Sequence, residues 1–278
     1  MLISIITPSC QKEDWLDYSP IDMYSAHMEI DDGDAPSFLN VAAVSLQSHK
    51  TDKQITIERM RTMIETIQLE RPNVEVIIFP EIIMEWYSTN DDEIYQRKMA
   101  ETIPGNSTNT MANMASNYNL TLLFGLTEID TVSNKIYNSQ VLIRPNKELV
   151  KYRKRNLNSI DLKNGMSAGL NSLIVVKIGP ANCAMFICSD MQNASITQEL
   201  GDSDVDVILQ STTSTTDLNT QVSYVGMQMN KWLVWSNRFG QEGSMNYTGF
   251  TQIINPLGSV SRRAEGESKY VYRELGIY

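Results

Sequence analysis

The pattern of apolar and polar positions becomes regular only from Leu39 onward. Leu39 to Leu46 is an apolar run of strand length. In Lys53 to Glu70 the residues Ile55, Ile57, Met60, Met63, Ile64 and Ile67 recur near helical spacing. Pro72 closes that helix, and Val74 to Phe79 forms a second strand. The alternation continues with a helix over Thr108 to Tyr118 and a strand over Leu120 to Phe124. Two strands, Tyr137 to Ile143 and Glu148 to Arg153, then flank Pro145-Asn-Lys, a turn suited to a hairpin. Leu173 to Ile178 and Cys183 to Cys188 repeat this arrangement around Gly179-Pro-Ala-Asn182. A helix at Ser195 to Leu200, a strand at Val205 to Leu209, a helix at Leu218 to Trp232 and a strand at Leu233 to Ser236 follow. The last strands are Phe250 to Ile254, Ser259 to Arg263 and Tyr270 to Arg273.

Strands alternating with helices in each half, with hairpins between, predict two mixed β-sheets packed face to face with helices outside. This is an α/β fold of the four-layer α/β/β/α sandwich type; a single mixed α/β sheet is the alternative. A chain of 278 residues, 42% hydrophobic, is long enough to bury a large core as one domain. Residues 1–37 lack sustained periodicity and carry the acidic stretch Glu29-Ile-Asp-Asp-Gly-Asp34, so they read as an N-terminal extension to a domain over residues 38–278.

Charge narrows the partners. A net charge of -10 sets nucleic acid and anionic membrane aside, because phosphate binding needs concentrated Lys and Arg. No run approaches the roughly 18 apolar residues that span a bilayer. The start, Met1-Leu-Ile-Ser-Ile-Ile, has no positive n-region and is interrupted by Ser4, which makes a poor secretory signal and points to the cytoplasm. Three cysteines, Cys10, Cys183 and Cys188, are too few and odd in number for a disulfide framework. No cofactor is expected: there is no Cys/His cluster with zinc-ligand spacing, no P-loop and no Gly-x-Gly-x-x-Gly.

Three strand ends carry reactive groups. Val74-Glu-Val-Ile-Ile-Phe-Pro-Glu81 ends on a carboxylate, Glu148-Leu-Val-Lys-Tyr-Arg-Lys154 on an amine, and Asn182-Cys-Ala-Met-Phe-Ile-Cys188 on a thiol. A carboxylate emerging from a buried strand is partly desolvated and thereby a stronger base. A fixed lysine stabilises an oxyanion. Free cysteine usually packs as a small hydrophobe, and Cys183 reads that way. Cys188 instead precedes Ser189-Asp190 at a strand-to-helix turn, where following N–H groups can bind an oxyanion. The usual base for cysteine is histidine, but the chain has only His27, in the extension, and His49, in the loop after the first strand. A carboxylate base with a lysine is the economical arrangement. On charge alone, Lys151-Tyr-Arg-Lys-Arg155 reads as a solvated strand end.

These segments, in this order, resemble the nitrilase superfamily of carbon–nitrogen hydrolases from about Leu39 to Arg273. Val-Ile-Ile-Phe-Pro-Glu81 resembles its glutamate segment, Tyr152-Arg-Lys154-Arg-Asn-Leu157 its lysine segment, and Ile187-Cys188-Ser-Asp190 its cysteine segment. Tyr137-Asn138-Ser139, Val205-Asp-Val-Ile-Leu209, Asn237-Arg-Phe-Gly240 and Gly249-Phe-Thr-Gln-Ile-Ile-Asn-Pro-Leu-Gly258 resemble framework segments. The resemblance implies a Glu-Lys-Cys triad in which Glu81 is general base, Lys154 stabilises the intermediate and Cys188 is the nucleophile. It implies hydrolysis of a non-peptide C–N bond in a small amide or carbamoyl compound through a thioester, in a homo-oligomer. Acyl transfer to an amine, nitrile hydrolysis and a catalytically impaired regulatory role are the alternatives. A second glutamate common in the family about eight residues beyond the lysine has no counterpart, and Asp161 is a shifted, shorter candidate. The histidine after the lysine is Asn156, and Met-Gln-Asn-Ala-Ser195 departs from the family beyond the cysteine. Ser189, Asp190, Tyr87, Thr212 and Asp161 are the oxyanion or substrate-binding candidates, with Trp86 and Thr213 as further pocket residues and Glu85 as a second carboxylate or a solvated loop charge.

Overall fold

The computed structural model describes residues 37–87, 92–170, 172–215, 229–264, 266 and 268–278. The chain forms two six-stranded sheets. The first orders its strands β14 (Lys269–Ile277), β1 (Ser37–Ser45), β2 (Val76–Ile78), β3 (Thr121–Asp130), β4 (Lys135–Ile143) and β5 (Leu149–Arg153). The second orders them β13 (Val260–Ala264), β12 (Thr251–Ile254), β9 (Trp232–Asn237), β8 (Val207–Thr212), β7 (Ala181–Ile187) and β6 (Val175–Ile178). Each sheet has a parallel trio at its centre, β1-β2-β3 in one and β7-β8-β9 in the other, with antiparallel strands on both sides. The central strands are apolar on both faces, as strands sandwiched between two layers must be.

The inner faces meet in a core built from both sheets, including Val41, Val76, Ile78 and Leu123 against Met185, Ile187, Leu209 and Val234. The outer face of the first sheet is covered by α1 (Lys53–Glu70) and α3 (Asn106–Tyr118), through Met60, Ile64, Ile67, Met111 and Met114. The second sheet is covered by α5 (Ala194–Gly201), through Ile196 and Leu200. This is the four-layer α/β/β/α sandwich, not a single mixed sheet. Two short helices, α2 (Asp92–Met99) and α4 (Ser159–Lys163), and a hairpin of β10 (Phe239–Glu242) and β11 (Met245–Thr248), complete the described elements.

Side-chain hydroxyls cross the core and fix the sheets in register near one end. Ser211 of β8 donates to the Phe79 carbonyl at 2.8 Å and accepts from Gln140 Nε2 of β4 at 2.8 Å. Ser236 of β9 donates to the Val44 carbonyl at 2.7 Å. Each satisfies a buried polar group that would otherwise cost about 1–3 kcal/mol. The ends of β2 and β8 are therefore held together where the chain continues to Glu81 and Thr213.

The helix expected from Leu218 falls mostly outside the described residues, as do Cys10, His27 and the expected extension up to residue 36. Trp232, expected to end that helix, instead begins β9 and places its indole N–H on the Gly276 carbonyl. The helices α2 and α4 and the β10–β11 hairpin were not expected, because their sequences are short and polar and lack a sustained apolar period. Among the described residues no helix is long and apolar enough to cross a membrane.

Candidate active site

Glu81, Lys154 and Cys188 are delivered by β2, β5 and β7. β2 ends at Ile78, Phe79 and Pro80 follow, and the chain turns through Ile82, whose φ of 44° lies in the left-handed region. A β-branched residue there is an outlier that only surrounding structure can hold. Gly125 of β3 permits the turn: a Cβ on it would lie 2.3 Å from the Ile82 nitrogen. Cys188 has the same φ of 44° and opens a 3₁₀ turn, Cys188–Gln192, directly off β7. Such a sharp turn lifts a nucleophile off the strand end.

The polar centre is fully buried. Lys154 Nζ lies 2.8 Å from Glu81 Oε1 and 2.7 Å from Asp161 Oδ2. Asn138 Nδ2 donates to both carboxylates, to Glu81 Oε1 at 2.7 Å and to Asp161 Oδ1 at 3.1 Å. Thr213 Oγ1 donates to Glu81 Oε2 at 2.8 Å, and the Tyr87 hydroxyl donates to Asp161 Oδ1 at 2.8 Å. The Asn158 N–H donates to Asp161 Oδ2 at 2.9 Å. Each carboxylate oxygen thus has a donor, which is what burying two charges beside one cation requires.

Electrostatics assign protonation states. Burial and the Glu81 charge push the Cys188 thiol up to about 12, with Lys154 and a Thr212 hydrogen bond pulling the other way. The sulfur is therefore a neutral thiol at neutral pH and must lose its proton to react. Burial alone would lower the Lys154 pKa; Glu81, Tyr87, Cys188 and Asp161 outweigh it and hold the ammonium well above the ordinary lysine range. Burial keeps the Tyr87 phenol protonated, as a donor.

Asp190 is turned away from this centre. Its carboxylate accepts from the Arg155 and Asn156 N–H groups at 3.1 and 2.8 Å, from the Ile187 N–H at 3.1 Å and from the Tyr152 hydroxyl at 2.8 Å. It staples the turn carrying Cys188 to the residues after Lys154 rather than facing a substrate. Ser189 and Asn156 reinforce the staple through two bonds of 2.6 Å, Ser189 Oγ to the Asn156 carbonyl and Asn156 Nδ2 to the Ser189 carbonyl. Thr212 touches the thiol, and Tyr87 and Asp161 sit beside Lys154. The structure thus brings together Glu81, Lys154, Cys188, Thr212, Tyr87 and Asp161, while Ser189 stands next to the sulfur along the chain.

Glu85 is neither a second active-site carboxylate nor a solvated charge. It is fully buried, 3.2 Å from Lys53 Nζ, and accepts the Thr127 N–H at 2.6 Å. Trp86 is half-buried under Lys50, with its indole N–H on the Ser48 carbonyl. His49 accepts the Thr51 and Asp52 N–H groups at the start of α1. The basic run is not a solvated strand end: Lys151 and Arg153 pair with Glu128, Arg155 pairs with Glu199, and Lys154 points into the buried centre. Asn138 was read only as framework, because a cross-strand hydrogen bond leaves no trace in periodicity. Its place opposite the lysine strand, with the Lys154 N–H on the Asn138 carbonyl at 2.9 Å, is set by the β4–β5 register.

Comparisons with known proteins place the chain in one family and one fold. The sequence model of the carbon–nitrogen hydrolase family matches residues 40–275. The omega-amidase Nit3 of Saccharomyces cerevisiae is 30% identical over 131 residues, 46% of this chain and 45% of that protein. A formamidase of Bacillus cereus is 26% identical over 216 residues, 73% of this chain and 61% of the relative. The matched stretches thus span less than two thirds of these two relatives. In structure, Saccharomyces cerevisiae Nit3, described as a member of branch 10 of the nitrilase superfamily, superposes with a TM-score of 0.77 at 20% identity, covering 87% of this chain and 91% of that one.

Proposed function

The chain belongs to the carbon–nitrogen hydrolase family, and from that premise we propose that it hydrolyses the C–N bond of a small carboxamide through a thioester on Cys188. The observation that carries this reading is the buried group of Glu81, Lys154 and Asp161 beside a thiol kept neutral at working pH. A neutral thiol needs a proton acceptor, and Glu81 is the acceptor at hand. Lys154, doubly paired, is a fixed positive charge that needs no reorganisation when an oxyanion forms.

In the first half-reaction Glu81 takes the Sγ proton as sulfur bonds to the carbonyl carbon, and the oxyanion is held by Lys154 and the Ser189 N–H. Collapse breaks the C–N bond, and the Glu81 proton leaves with the amine or ammonia. In the second half-reaction Glu81 deprotonates a water that attacks the thioester, and collapse releases the acid and restores the thiol. Asp161 holds Lys154 between two carboxylates, the position that the missing second glutamate would fill. Amides of short carboxylic acids are the substrate class, in keeping with the names of the omega-amidase and formamidase relatives. The same reading places a homo-oligomer in the cytoplasm, on the family resemblance and the sparse cysteines. Purified protein assayed for ammonia release across a panel of small amides tests it. At least one amide should turn over, and Cys188→Ala should abolish that turnover; a fully active Cys188→Ala enzyme rules the reading out.

A further inference from the structure

Arg238 follows β9 and is completely buried, yet it lies outside the group just described. Its guanidinium spends its donors on the loop that carries Glu81. Nη2 donates to the Glu81 carbonyl at 2.8 Å and also to the Ile82 carbonyl. Nη1 donates to the Glu85 carbonyl at 2.9 Å and to Ser48 Oγ and Glu242 Oε1. Glu242, on β10, is also fully buried, and its second oxygen accepts the Tyr87 N–H at 2.9 Å. The Tyr247 ring from β11 packs near the guanidinium, 5.8 Å from its carbon to the ring centroid.

One ion pair therefore grips residues 81–87 at both ends. At one end are the carbonyls of Glu81 and the left-handed Ile82; at the other is the N–H of Tyr87, whose hydroxyl donates to Asp161. No regular element of its own holds this segment, and the strained Ile82 turn would relax if released. A relaxed turn would swing the Glu81 carboxylate off Lys154, Asn138 and Thr213. Lysine cannot substitute, because three carbonyls and a carboxylate need a planar fork of donors rather than a point charge.

We propose that Arg238, anchored by Glu242, is the positioning residue that aims the Glu81 carboxylate at the Cys188 thiol. It acts through the backbone of the Glu81–Tyr87 segment and touches no substrate. The inference rests on the reading of Glu81 as base, and its test separates the two. Alkylation of Cys188 by iodoacetamide needs no amide substrate. With Glu81 able to accept the proton, the alkylation rate stays nearly flat between pH 6 and 9. Without it, reaction depends on free thiolate and the logarithm of the rate climbs about one unit per pH unit, because burial alone still holds the thiol pKa above this range.

The full-length protein is compared with Arg238→Lys and Glu81→Gln, folding being checked by circular dichroism and adduct sites by mass spectrometry. Arg238→Lys should lose the flat region, slow alkylation at pH 7 about 30-fold or more, and lower kcat by a similar factor with KM within about 3-fold. Should Arg238→Lys not fold, Glu242→Gln replaces it, with a loss of about 5-fold or more expected in the same readouts. A folded Arg238→Lys, or in its place Glu242→Gln, with wild-type alkylation and kcat overturns the positioning role while Glu81→Gln remains impaired. A wild-type alkylation profile in Glu81→Gln overturns both readings.

Discussion

Lys154 Nζ stands 2.8 Å from Glu81 Oε1 and 2.7 Å from Asp161 Oδ2, so a single buried ammonium is shared by two carboxylates. The arrangement makes Asp161 as much a neighbour of the lysine as Glu81 is. A carboxylate at this point is one methylene shorter than glutamate and one residue closer to the lysine than the common family spacing. Asn158 caps α4 and holds Asp161 from both sides, accepting its N–H and donating its own N–H to the carboxylate.

Replacing Asp161 by Asn should therefore lower kcat more than it raises KM. The lost charge-assisted bond is worth about 1.5–3 kcal/mol, which corresponds to roughly 10–150-fold in rate. Steady-state kinetics on the amide identified by the ammonia assay measures it, and unchanged kcat would remove Asp161 from the reacting group.

Lys154→Met should cost far more stability than Asp161→Asn. It leaves two buried carboxylates without their cation, a loss of about 3–5 kcal/mol, read as a lower urea midpoint at unchanged slope. An unfolding free energy within about 1 kcal/mol of wild type would mean that the buried pairs do not exist in solution.

Stability should also depend on alkaline pH through Cys188. Its folded-state pKa of about 12 lies above the ordinary value of 9.0. Above pH 9 the unfolded chain sheds the thiol proton while the folded one keeps it, so stability is full below pH 9 and falls as pH rises toward 12. Cys183, also raised to about 12 by burial, adds a slope of the same sign. The difference between wild type and Cys188→Ala isolates this one thiol: Tm measured from pH 8 to 11 should fall less steeply in the variant. Parallel curves would show that the thiol is not held protonated.

Gly125→Ala tests the packing behind Glu81. A methyl 2.3 Å from the Ile82 nitrogen must push the Glu81 turn or β3 aside, at a cost of about 1–3 kcal/mol, and kcat should drop with it. Wild-type Tm and kcat together would show that the turn does not lie against Gly125.

Much of this was legible because it depends on local pattern. The helix α1 occupies the range that the isoleucine and methionine spacing gives, and β4, β5 and β8 lie within two or three residues of their apolar runs. The three strand ends were visible for the same reason: an apolar run that stops on Glu, Lys or Cys stands out. What was not legible depends on contacts across the fold. Glu81, Glu85 and Glu242 are all fully buried glutamates, and nothing in the sequence shows that Glu85 would pair with Lys53 or Glu242 with Arg238. Asp190 lies two residues from Cys188 in sequence, but its carboxylate is turned to the backbone by the 3₁₀ turn. Thr213 was a candidate pocket residue, but its bond to Glu81, like that of Asn138 from β4, is a meeting that only the sandwich creates.

The most direct test of the central claim is the mass of the acyl-enzyme. Protein mixed with a turned-over amide and acid-quenched within milliseconds should gain the mass of the acyl group, located by peptide mapping on Cys188, while ammonia release continues in an unquenched sample. Turnover with no acyl adduct on Cys188, in wild type and in a variant slowed in the second half-reaction, would contradict the account.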